Sequence, residues 1–253
     1  MPDSKSIHNP QSKIYNQDVR ILLWDIDGTL LQSTRAGSFR EYFAGALEKT
    51  YGTPGRIFEV KAAGITDTQI VFQALKDDGF TIEQVSARMC EFIDAMCFEM
   101  RGYINRHEDV YEILPGVREI LQATAADPRF INALLTGNVG CGAEIKCRYI
   151  GVWQYFEKSL NTYGDVSHDR RQLAVTAGKN FDEYYKIKID PAKFIVIGDT
   201  PHDIGTAKNF GAKIVSVETG RGIGREDLAA AQPDSLIKDL SNTQKVLRIL
   251  EKF

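Results

Sequence analysis

Short runs of consecutive apolar residues alternate along this chain with longer stretches in which apolar positions recur three or four apart. The runs are VRILLWD (19–25), FINALLTGN (130–138), FIVIGDT (194–200) and AKIVSVETG (212–220), each ending in small or polar residues. Continuous apolar runs of this length predict strands covered on both faces, and the helical segments between them predict crossovers. The fold class expected is therefore α/β, a Rossmann-like parallel sheet with helices on both faces. Weaker strands are expected at KSLNTYG (158–164) and SLIKD (235–239).

One region departs from this alternation. Over 33–112 the apolar positions keep helical spacing, as in Phe39, Tyr42, Phe43, Ala46, Leu47 and again in Val85, Met89, Phe92, Ile93, Met96, with turn-like YGTPG (51–55) and KDDGF (76–80) as punctuation. It reads as a small helical domain inserted after the first strand, closed by LPGV (114–117), where Pro115 and Gly116 suit a hinge. The expected organisation is a loose polar leader (1–19), a core made of 20–32 and 113–253, and the inserted helical domain (33–112).

The composition narrows the function classes. With 31 Lys+Arg against 34 Asp+Glu and a net charge of -3, nothing favours nucleic acid or an acidic membrane as partner. No stretch has the ~18 apolar residues of a membrane-crossing helix, and the leader lacks the apolar core of a signal peptide, so a cytoplasmic location is expected. Cys90, Cys97, Cys141 and Cys147 follow no metal or disulfide spacing and are expected to be reduced, ordinary side chains.

In open parallel sheets, ligands bind beyond the carboxyl ends of the strands, so the residues ending the apolar runs carry the candidate chemistry. Asp25 and Asp27 end the first run. Two carboxylates so close beside an apolar layer need a compensating cation, and Mg²⁺ is the natural one for oxygen ligands beside a phosphate. Asp199, ending another run, supplies a third acid at the same edge, with Asp203 four residues on. Gly28 and Thr29 allow a tight turn with its amides toward an anion. Thr136 can donate its hydroxyl to a phosphate oxygen, Gly137 permits close approach, and Asn138 completes the loop. A carboxylate beside a metal can itself attack phosphorus.

At this point DIDGTL (25–30), LLTGN (134–138) and VIGDTPHDI (196–204), in this order, resemble the signature segments of the haloacid dehalogenase superfamily. The resemblance implies Asp25 as nucleophile and Asp27 as the acid that protonates the leaving oxygen and later activates water. Thr136 would hold the phosphate, Asp199 would bind Mg²⁺ with Asp25 and the backbone carbonyl of Asp27, and Asp203 would support the metal site. The superfamily's usual basic residue has no Lys-Pro here. GDVSHDRRQLAVTA (164–177) resembles instead a phosphoglycolate phosphatase-like branch with Arg at that place, which makes Arg170 the first choice, then Arg171, then Lys158. The inserted region resembles a helical cap, with Thr66 and Asp67 of AAGITDTQI (62–70) facing the active site. Taken alone, Thr66 and Asp67 equally suit a helix N-cap, and His202 suits the surface of a helix's first turn.

The implied activity is Mg²⁺-dependent hydrolysis of a small phosphate monoester, of phosphoglycolate or sugar-phosphate type, through an aspartyl-phosphate. A phosphomutase of the same superfamily and a noncatalytic phosphate-binding protein are the alternatives. A phosphonate hydrolase or dehalogenase is disfavoured by Asp27. Oligomeric state is not readable from the chain.

Overall fold

The computed structural model describes residues 19–253; the leader expected over 1–19 lies, apart from Val19, outside them. The elements run β1 (Arg20–Trp24), β2 (Leu31–Ser33), α1 (Phe39–Tyr51), α2 (Asp67–Leu75), α3 (Ile82–Ala87), α4 (Met89–Arg106), β3 (Tyr111–Ile113), α5 (Val117–Ala126) and β4 (Phe130–Leu134). They continue with α6 (Gly140–Tyr149), α7 (Arg171–Tyr185), β5 (Phe194–Gly198), α8 (Pro201–Phe210), β6 (Lys213–Val217), α9 (Arg225–Ala230), β7 (Ser235–Ile237) and α10 (Thr243–Lys252). Five strands form one parallel sheet in the order β4-β1-β5-β6-β7. This is the α/β, Rossmann-like core expected from the apolar runs.

The alternation of side chains along each strand divides the core into two apolar layers. Leu22, Trp24, Leu134, Ile195, Ile197 and Val215 belong to one, with α5, α6, α10 and the inserted helices. Ile21, Leu23, Ala133, Phe194, Val196 and Ile214 belong to the other, under α7, α8 and α9. Both faces of every central strand are thus buried, which is why the runs in the sequence are continuous rather than alternating.

β2 and β3 pair antiparallel, Leu31 opposite Ile113, and between them the chain makes α1 to α4. Helices α1 and α4 pack through edge-on aromatics, Phe43 on Phe92 and Tyr42 on Tyr103. These inserted helices share one continuous apolar cluster with the sheet face beneath them.

Two expectations need correction. KSLNTYG is not a strand: Lys158–Leu160 is a 3-10 turn, and only Leu135 and Thr162 make an isolated bridge. Asn161 Oδ1 accepts the Leu134 N–H at 2.8 Å, so a side chain occupies a ladder position that a strand would fill. The cysteines are not all reduced either. Cys97 of α4 and Cys141 of α6 are paired as a disulfide with Cα atoms 6.4 Å apart, while Cys90 and Cys147 are free. The partners are 44 residues apart and meet only because α4 packs on α6, a tertiary contact that no sequence spacing announces.

Candidate active site

β1 has β4 on one side and β5 on the other, so the chain departs in opposite directions from neighbouring strand ends and leaves a crevice there. Three strand ends meet at it. The Asp25 N–H donates to Ile197 O (2.9 Å) and the Leu135 N–H to Trp24 O (2.8 Å), which fixes the segments after β1, β4 and β5 side by side. Asp25, Thr136 and Asp199 are the residues so placed.

After β1 the chain turns sharply: the Leu30 N–H returns to Ile26 O and the Gly28 N–H to Leu31 O, each at 2.8 Å. Gly28 takes φ +84°, and a Cβ there would lie 2.2 Å from Asp199 Oδ2. Only glycine lets the turn close against that carboxylate. The Thr29 hydroxyl donates to Asp199 Oδ1 at 3.0 Å.

Asp25, Asp199 and Asp203 are all buried, and each offers a carboxylate oxygen within 4.8 Å of the others. Arg170, also buried, sets its Nη2 at 3.1 Å from Asp25 Oδ1 and in contact with Asp203 Oδ1. Asp203 is further held by the Thr200 N–H (3.0 Å) and hydroxyl (2.7 Å) in a capping box that starts α8. One guanidinium against three carboxylates leaves two negative charges in excess. Burial, opposed by Arg170 and reinforced by Asp203 and Asp27, pushes the Asp25 carboxyl up to about 7. Burial, with Asp25 and Asp203, raises Asp199 well above the usual carboxylate range. Burial opposes the Arg170 charge, but Asp203 and Asp25 outweigh it and raise its pKa. A divalent cation held by these oxygens would carry the missing two charges.

Asp27 points elsewhere. Its side chain is 49% exposed, and both of its oxygens are held by Lys146 Nζ, at 2.8 and 2.7 Å. Asn138 completes the group: its Nδ2 donates to Asp27 Oδ2 (2.7 Å) and its Oδ1 accepts from Lys146 (2.6 Å). The Asp27 carboxylate thus lies outside the cluster of Asp25, Asp199 and Asp203, which leaves the expected role of the Asp27 backbone carbonyl untouched. Lys146 was not among the residues the sequence suggested. Its one signal is position, a lysine on the buried stripe of α6 with Ala143 and Cys147. Burial works against its charge, yet Asp27, Tyr111 and Asp67 outweigh it and hold the ammonium protonated.

The loop of Thr136, Gly137 and Asn138 follows β4. Thr136 is fully buried, and its Oγ1 accepts from the Asn138 N–H (3.3 Å) and Nδ2 (2.8 Å), which leaves its own proton to donate. A Cβ on Gly137 would lie 2.5 Å from Ile65 O, so the inserted region closes directly over this loop. Thr66 caps α2 by accepting from the Gln69 N–H (3.3 Å), and the Asp67 N–H donates to Gly137 O at 2.8 Å. The Asp67 carboxylate accepts the Val139 N–H at 2.9 Å, and the Thr68 hydroxyl donates to Gly164 O at 3.1 Å. Thr66 thus caps α2, while Asp67 fastens the inserted helices to the loop after β4. Burial, against Lys146 and the Val139 N–H, pushes the Asp67 carboxyl up to about 6.

A cavity of 520 Å³ opens above this floor, lined by Asp25, Asp27, Gly28, Asp67, Gly137, Asn138, Arg170 and Asp199 among others. Thr29, Thr66, Thr136 and Asp203 lie behind that wall rather than on it. Of the three basic candidates, Arg170 faces Asp25, Arg171 pairs with Asp169 (2.9 Å), and Lys158 lies over the Trp153 ring. His202 is exposed at the start of α8, close under Gly64.

The chain and its fold are similar to those of known proteins. Residues 172–243 match the HAD-hydrolase-like family model. A phosphoglycolate phosphatase of Vibrio vulnificus is 23% identical over 239 residues, covering 92% of this chain and 98% of its own length. A solved structure from Haemophilus somnus, described as a predicted phosphoglycolate phosphatase, superposes with TM-score 0.62 at 17% identity over 92% of this chain and 99% of its own. A candidate β-phosphoglucomutase from Thermotoga maritima shares the fold at TM-score 0.54 and 20% identity, over 92% of this chain and 100% of its own. The family match is confined to residues 172–243, and the solved structures show that the chain shares the fold of these proteins. No helix among the described residues is long and apolar enough to cross a membrane.

Proposed function

We propose that this protein hydrolyses small phosphate monoesters with Mg²⁺, by way of an aspartyl-phosphate on Asp25. The observation that carries this reading is the meeting of Asp25, Asp199 and Asp203 with Arg170 on the floor of the cavity, at the carboxyl edge of the sheet. Asp25, Asp199, Asp203 and the Asp27 carbonyl would hold the cation, which when bound offsets their charge and that of the phosphate. Arg170 holds Asp25 in place and offers its remaining N–H groups to a phosphate oxygen. Thr136 and the amides after Gly28 and Gly137 orient the same group.

An Asp25 oxygen attacks phosphorus, the P–O bond to the alcohol breaks, and Asp27 gives the leaving oxygen its proton. The resulting Asp27 carboxylate then takes a proton from water, whose oxygen attacks the aspartyl-phosphate and frees inorganic phosphate. To do so Asp27 must turn from Lys146 toward Asp25. The inserted helices, α1 to α4, act as a cap that keeps bulk water from the intermediate. The test is phosphate release from a panel of small esters, phosphoglycolate included, with and without Mg²⁺ and with Asp25→Asn as control. Mg²⁺-dependent release that the variant lacks supports the reading. Transfer within a sugar phosphate without release would turn it toward a mutase, and no turnover at all would overturn it.

A further inference from the structure

Beyond the phosphate end, the cavity wall is built by Phe39, Phe43, Ile65, Ile70, Met96 and Met100. Its polar neighbours, Gln32, Ser33 and Ser38 among them, have partners in the protein: Gln32 Nε2 donates to Thr219 O at 3.5 Å, and the Ser33 and Ser38 hydroxyls bond each other at 2.7 Å. The Tyr42 and Tyr111 hydroxyls bond each other at 3.3 Å, the Asp67 carboxylate accepts the Val139 N–H, and Lys146 is taken by Asp27 and Asn138. Arg40 lies on the Phe39 ring, 4.8 Å from its centroid, and gives Nη2 to Val60 O at 2.8 Å. Its Nε–H is buried without a partner among the described residues, enough for one acceptor atom. Lys61 and Arg221 are exposed and reach the cavity only from the solvent side.

A sugar body would bring several hydroxyls to this wall and leave most of them without partners, at the cost of their hydration. A two-carbon acid would leave most of the wall untouched, in a cavity whose 520 Å³ is in the range of sites for much larger ligands. From this we infer that the substrate is a phosphate monoester with an apolar body, an alkyl or aryl-alkyl chain of about six carbons or more, carrying at most one or two further polar atoms. The inference rests on the phosphatase reading above and names the substrate class of that same site.

The test compares kcat/KM for ethyl, butyl, hexyl and phenethyl phosphates, whose alcohols are similar leaving groups, with phosphoglycolate and glucose 6-phosphate. The expected result is a rise of roughly threefold per methylene from ethyl to hexyl, as apolar burial of each CH₂ gives. Hexyl and phenethyl phosphates should then exceed phosphoglycolate and glucose 6-phosphate. Phe39→Asn and Met100→Gln should each reduce the hexyl-to-ethyl ratio several-fold. A flat alkyl series, or a lead by phosphoglycolate or glucose 6-phosphate, overturns the inference and leaves the phosphatase reading standing. Calorimetric binding of hexylphosphonate against ethylphosphonate reads the wall without turnover. If no ester is hydrolysed, the phosphatase reading falls, and equal binding of the two phosphonates then removes the apolar-body assignment as well.

Discussion

Lys146 Nζ sits 2.7 Å from Asp27 Oδ2, buried on α6, and makes the acid of the DIDGTL segment part of an ion pair reaching across the fold. The pair sets where Asp27 rests and therefore how far it must turn to reach a leaving group. Lys146→Met keeps the apolar stem and removes the charge. Its expected effect is a fall in kcat of roughly 10- to 100-fold, part of what a well-placed proton donor contributes. Stability should change by less than about 1 kcal/mol, because Asp27 is half in water and loses little when its partner goes. Steady-state kinetics beside a thermal melt separates the two effects.

The acid cluster predicts how metal and proton compete. Mg²⁺ at a hundredfold excess over its Kd should raise the melting temperature by roughly 5–10 °C after treatment with EDTA. Asp25→Asn should remove most of that gain. Because the Asp25 carboxyl is pushed up to about 7 by burial, Mg²⁺ must displace a proton below that pH. The melting gain should therefore shrink between pH 8 and pH 6. Excess Ca²⁺, with its looser coordination, should inhibit turnover. A gain independent of both pH and Asp25 would remove the metal assignment.

Asp67 predicts a pH dependence of stability. Its carboxyl holds a proton more tightly folded (about 6) than unfolded (3.8), so the stability this gives is full below the unfolded value and is lost as pH rises through about 6. Asp67→Asn, which keeps an oxygen for the Val139 N–H, removes that loss. Relative to wild type the variant should gain on passing from pH 4 to pH 7, by up to about 3 kcal/mol. Urea denaturation at the two pH values reads this directly, and a constant difference would contradict it.

Gly28→Ala places a methyl group where Asp199 Oδ2 now lies, on a backbone at φ +84°. The expected cost is about 1–3 kcal/mol of stability with a large loss of Mg²⁺ binding, since Asp199 must move. Calorimetric Mg²⁺ titration of the folded variant checks the second part.

The pairing of Cys97 with Cys141 predicts that a digest without reductant yields their two peptides joined, and that two thiols, Cys90 and Cys147, remain for modification after unfolding. Reduction should lower stability by about 2–4 kcal/mol, as the opening of a loop of this size does. Separate peptides from protein prepared under air would contradict the pairing.

The sheet and its acid-bearing edge were legible because burial on both faces imposes continuous apolar runs, and a carboxylate directly after one has few structural uses. Asp25 and Asp199 were therefore nameable from the chain, whereas Arg170 came only from the resemblance carried by 164–177, and the fold shows that it, rather than Arg171, meets Asp25. Lys146 was not, because a buried lysine on an amphipathic helix is explained only by its partner, which lies 119 residues away. Thr66 and Asp67 were visible as a cap for α2, but the fastening of Asp67 to Gly137 and Val139 was not. KSLNTYG failed for a local reason, since the side chain of Asn161 takes the place of a ladder bond.

The Cys97–Cys141 bond also governs motion. It ties α4 to α6 within the wall of the cavity, so while it is intact the upper helices cannot lift away as a body. The bonds of Asp67 to Gly137 and Val139 and of Thr68 to Gly164 tie the same two parts a second time, without a covalent link. Breaking the disulfide would leave the closure of the cavity to those hydrogen bonds and the shared apolar cluster alone.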